Sequence, residues 1–67
     1  MLKCKAILEF DPHTDIFTVE VSGDNGITEV YLIPLVEAQS DETYKAPEDY
    51  AAMTAIRLFM EDHEKAD

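Results

Sequence analysis

Positive charge is what this sequence has least of. Five Lys/Arg stand against fifteen Asp/Glu in 67 residues, a formal net charge of -10 and a sequence pI near 4.3. That balance repels nucleic acid and anionic membrane and attracts basic surfaces. It exceeds what solubility needs, since a magnitude of roughly 2–8 is enough for a small domain. Cysteine is nearly absent: Cys4 stands alone, which excludes an internal disulfide, and no Cys/His spacing matches a zinc site. With two glycines there is no Gly-rich phosphate loop, and no Ser/His/Asp set or paired carboxylates in a cleft can be assembled. No apolar run reaches the length of a signal peptide or a membrane span. A single unpaired cysteine fits a reducing compartment, so the expected location is cytoplasmic.

What is present is patterned apolar content, 46% of the chain, which sets it apart from disordered acidic sequences. Residues 2–10 alternate, with Leu2, Cys4, Ala6, Leu8 and Phe10 on one side and Lys3, Lys5, Ile7 and Glu9 on the other. Period two predicts a strand. Asp11-Pro12-His13-Thr14-Asp15 carries turn chemistry. Residues 16–22 alternate again through Phe17, Val19 and Val21, and Gly23-Asp24-Asn25-Gly26 is a hairpin signal in which Asn-Gly supplies positive φ. A third strand is expected over about 27–35, ending near Pro34, which has no N–H for a ladder. Residues 37–46 have no period and read as a loop, with room for one helical turn after Ser40. Pro47-Glu48-Asp49 then opens a helix over about 47–65, with Ala52, Met53, Ile56, Phe59, Met60 and His63 as its apolar stripe. The expected fold is one α+β domain over 1–67, a three-stranded antiparallel β-meander packed on one C-terminal helix.

One helix covers one sheet face. The expected inward set is Leu2, Cys4, Ala6, Leu8, Phe10, Phe17, Val19, Val21, Val30 and Leu32. That leaves Ile7, Ile16, Tyr31, Ile33 and Leu35 outside, ringed by Glu9, Glu20 and Glu29. The third strand is almost continuously apolar from Val30 to Val36, so the opposite phase, with Tyr31 and Ile33 in the core, stays open. A chain this short buries only about 60% of its unfolded surface and gains from association.

Candidate chemistry is sparse. Asp11, His13 and Asp15 share a spacing that points three donors one way, but it is neither an EF-hand nor a zinc signature, and turn capping is the expected role. Cys4 sits among inward apolar positions and is expected to pack as a small hydrophobe. Met53 and Met60 read as packing residues, and His63 as a helix C-terminal residue. Tyr44 and Tyr50 flank Pro47 and either anchor an interface or pack on the sheet. No catalytic, cofactor-binding or metal residues are expected, and no enzyme activity.

The carboxylates remain. Glu37, Asp41, Glu42, Glu48 and Asp49 gather in the loop and first helical turn, and Glu61, Asp62, Glu64 and Asp67 at the helix end. Expected partner-binding residues are Glu37, Asp41, Glu42, Tyr44, Glu48 and Asp49, together with Glu29 and Tyr31 of the third strand. The reading is a non-catalytic acidic protein that docks on a basic surface of another protein, of the kind that contacts a nucleic-acid backbone. Small phage-encoded inhibitors and nucleic-acid mimics share this physical profile. Direct nucleic-acid or membrane binding is disfavoured by sign. The alternative is a structural module or homodimer joined through the apolar sheet face.

Overall fold

The computed structural model describes residues 3–40, 42–43 and 46–63. β1 (Cys4–Asp11), β2 (Ile16–Gly23) and β3 (Thr28–Pro34) form one antiparallel sheet in the order β1-β2-β3, followed by α1 (Leu35–Ser40) and α2 (Pro47–His63). The fold is α+β, as the alternation and the helical period predict.

Local chemistry makes each turn. Between β1 and β2 the Asp15 N–H donates to the Asp11 carbonyl at 2.8 Å, and the His13 N–H donates to Asp11 Oδ1 at 2.9 Å. Asp15 takes a left-handed φ of 55°, which a short polar side chain tolerates. Between β2 and β3, Gly23 donates to the Ile27 carbonyl at 2.9 Å, and Gly26 donates to the Gly23 carbonyl at 3.1 Å. Gly26 carries the positive φ, 87°, and Asn25 does not. Instead the Asn25 carboxamide oxygen accepts the Ile27 N–H at 3.1 Å. The result is a three-residue loop closed by a left-handed glycine, not a two-residue turn.

That loop fixes the phase of β3. Tyr31 lies opposite Val19, and Ile33 opposite Phe17. Phe17, Val19, Val21 and Ile33 are buried, while Val30 and Leu32 point to solvent. The inward set that included Val30 and Leu32 is therefore corrected, as is the outward placement of Tyr31 and Ile33. Hydropathy could not choose between the phases, because both are apolar. The turn length chose, since a slip of one residue exchanges the two faces.

The loop expected over 37–46 is also corrected, because residues 35–40 form α1. Pro34 cannot donate to a further ladder, and the Leu35 N–H turns back to the Asp15 carbonyl at 2.8 Å. Leu35 and Ala38, three apart, then face the core, and Val36 faces out. At the end of α1 the Ser40 hydroxyl donates to the Glu37 carbonyl at 2.8 Å.

α2 starts where the sequence predicts, with the Ala46 carbonyl accepting the Asp49 N–H at 3.1 Å. Residues 64 and 65 of the expected helix lie outside the described residues. Its buried residues are Ala51, Thr54, Ala55 and Phe59; Phe59 and Ile56 of the expected stripe meet the core, but the stripe is centred on Ala51 and Ala55 and Met53 is exposed. Alanine at 51 and 55 lets the helix axis approach the sheet, and Phe59 fills the remaining space. Gly23 lies beneath that ring: a Cβ there would come within 2.9 Å of Phe59 Cε1. Burying Phe59, Val19 and Val21 contributes about 1.5–3 kcal/mol each.

Candidate functional site

α2 and α1 occupy one face of the sheet, and the other face is bare among the described residues. Its geometry follows from strand register. Glu20, at the middle of β2, lies opposite Ile7 on β1 and Val30 on β3. Thr18 lies between Glu9 and Leu32, Ser22 between Lys5 and Thr28, and Ile16 between Asp11 and Pro34. Ile7, Val30 and Leu32 are 62%, 57% and 62% exposed. This face is thus an aliphatic surface with a carboxylate at its centre, two more along the β1 side, and Lys5 at one corner.

A second region is the acidic edge. Glu37 on α1, Glu42 after it, and Glu48 and Asp49 in the first turn of α2 are all exposed. The Tyr50 hydroxyl donates to Glu37 Oε2 at 2.8 Å and ties α1 to the start of α2. Tyr50 is half-buried and packs against the core. The first-turn carboxylates complement the dipole of α2. Beside Glu48, the rings of Phe10 and Phe17, with centroids 4.8 Å apart, and Leu35 line a shallow apolar notch of about 290 Å³. Asp41 and Tyr44 lie outside the described residues.

Glu29 and Tyr31 do not join either surface. Both lie on the helix-covered side of β3, because the register places them opposite Val21 and Val19. Glu29 therefore does not neighbour Glu9 and Glu20. Its Oε2 lies 3.1 Å from His63 Nε2, and the His63 ring packs at a tilt of 50° against Phe59 with centroids 4.6 Å apart. His63 is a helix C-terminal residue as predicted, with an added role: it fastens the end of α2 to β3. Residues 34 positions apart give no sequence signal for this contact. The Tyr31 hydroxyl is shielded from solvent and has no hydrogen-bond partner among the described residues. Burial raises its pKa, and the nearby Asp62 and Glu29 carboxylates push it the same way.

Asp11, His13 and Asp15 are exposed in the first turn, where Asp11 Oδ1 already accepts the His13 N–H. Among the described residues no group of three His, Cys, Asp or Glu could hold a metal ion. Cys4 is half-buried against the core. No helix of the described residues is long and apolar enough to cross a membrane.

The electrostatic character is one-sided. Among the described residues a single carboxylate, Glu29, is in an ion pair, and its partner is a histidine on the covered side of the sheet. Among the described residues, the carboxylates of the acidic edge and of the bare face have no Lys or Arg beside them in an ion pair. No protein-family model matches this chain, and no curated protein and no solved structure matches it.

Proposed function

We propose that this chain is a non-catalytic binding protein whose carboxylates dock on a basic surface of a partner protein, of the kind that contacts a nucleic-acid backbone. The observation that carries this reading is the lack of internal neutralisation: Glu37, Glu42, Glu48 and Asp49 are exposed and form no ion pair with Lys or Arg among the described residues. Carboxylates held in that state keep their attraction for an external cation, and they break no ion pair when they bind. Glu48 stands beside the Phe10/Phe17/Leu35 notch, which can take the aliphatic stem of a Lys or Arg whose charged head meets the carboxylate.

The test is affinity capture from native lysate at low salt, followed by elution with rising salt and competition with nucleic acid. The captured protein is expected to leave the column as the screening length falls from about 10 Å at 0.1 M towards about 3 Å at 1 M salt. Nucleic acid added at low salt is expected to displace it. A partner that stays bound at high salt, or that holds nucleic acid and this chain together, contradicts the reading. A second reading, a structural module assembled through the sheet, is favoured by the exposure of Ile7, Val30 and Leu32.

A further inference from the structure

The bare sheet face has a size, a chemistry and a charge, and together they select what covers it. Strands about 4.8 Å apart rising about 3.3 Å per residue give three strands of seven residues a footprint of roughly 14 by 23 Å. That is about 330 Å², or roughly 660 Å² when doubled for side-chain relief, the lower end of what one partner gives to a specific interface. A second copy of this chain would bring a net charge of -10 against -10 and carry Glu20 of each copy into an aliphatic contact with only the corner Lys5 to supply a cation. A single α-helix, about 10–12 Å across, fits the width, and about 15 residues span the length. The opposite face already carries such an element, the 17-residue α2.

From these observations we infer that the outer face of the sheet is the docking site for a basic amphipathic helix of a partner protein. Ile7, Val30 and Leu32 receive the apolar stripe of that helix. Its Lys and Arg side chains reach Glu20 at the centre and Glu9 and Asp11 along β1, which is how a carboxylate amid exposed aliphatics is accommodated. The inference rests on the basic-partner reading and adds the shape of the ligand and a second place of contact.

The experiment titrates the full chain with two labelled 18-residue probe peptides, an amphipathic Leu/Lys helix and the same design with Glu for Lys, alongside sedimentation of the chain alone. The Leu/Lys peptide is expected to bind and the Leu/Glu peptide not to bind. Leu32→Asp is expected to weaken binding tenfold or more even though it adds negative charge, and Glu20→Gln severalfold. Leu32→Ser and Ile7→Ser, which leave the charge unchanged, provide the same comparison should the Asp variant fail to fold, and circular dichroism checks each variant. If the face variants bind the Leu/Lys peptide as well as the parent chain does, while Glu48→Gln with Asp49→Asn does not, this inference falls and the basic-partner reading stands. If the Leu/Glu peptide binds equally, or neither peptide binds, both fall. A dimer that Leu32→Asp dissociates puts a second copy on the face and overturns the inference.

Discussion

The two faces of the sheet are built from the same three strands and the same aliphatic residue types, yet they have opposite fates. On the covered face Phe17, Val19, Val21 and Ile33 lose nearly all their accessible surface beneath Ala51, Ala55 and Phe59. On the bare face Ile7, Val30 and Leu32 keep more than half of theirs. The first set holds the fold. The second gives the isolated chain little stability, and a small monomer rarely keeps large aliphatics together in the open unless the patch is used. Charge divides the same way. The one carboxylate in an ion pair among the described residues, Glu29, lies on the covered side, and Glu9 and Glu20 lie on the open side without one.

The comparison can be broken from the covered side first. Phe59→Ala removes the largest fully buried side chain and is expected to cost about 3–5 kcal/mol, to be measured by urea titration. Gly23→Ala is expected to cost about 1–3 kcal/mol, because the new methyl meets the Phe59 ring at 2.9 Å and the Asn25 carboxamide oxygen at 2.6 Å.

Tyr31→Phe goes the other way. Deleting a shielded hydroxyl that has no hydrogen-bond partner among the described residues is expected to stabilise the fold by about 1 kcal/mol, read as a melting temperature higher by roughly 4–8 °C. The same variant sharpens the alkaline limit. The folded pKa of Tyr31 is raised, so its contribution is intact below the ordinary value of 10.0 and is lost as pH climbs above that value. The parent chain is therefore expected to lose stability above pH 10 more steeply than Tyr31→Phe, measured by urea midpoints across that window. The smallest effect is expected at Glu20→Lys on the open face. It relieves part of the self-repulsion and gains a few tenths of a kcal/mol, diminishing with added salt.

Much of the architecture was legible in the sequence because two strands alternate cleanly and the helix opens on Pro47-Glu48-Asp49. Three features were not, each for a physical reason. Val30 to Val36 is apolar in both phases, so the three-residue loop ending at Gly26 decided which residues turned inward. The same apolar continuity concealed α1, where Leu35 donates back to Asp15 instead of extending β3. The helix stripe is centred on Ala51 and Ala55 because small residues there bring α2 closer to the sheet than a stripe of large side chains would, a preference that hydropathy does not register. Of the expected docking residues, Glu37, Glu42, Glu48 and Asp49 are exposed at one edge. Glu29 and Tyr31 were misplaced through the phase of β3 alone.

The most direct measurement is the melting temperature of the triple variant Ile7→Ser, Val30→Ser, Leu32→Ser, followed by circular dichroism. If these side chains serve a partner and not the fold, the variant is expected to melt cooperatively within about 5 °C of the parent chain, in keeping with the small effect of exposed substitutions. A fall of more than about 15 °C, or loss of the cooperative transition, would show that the bare face is needed for folding and would contradict the division between the two faces.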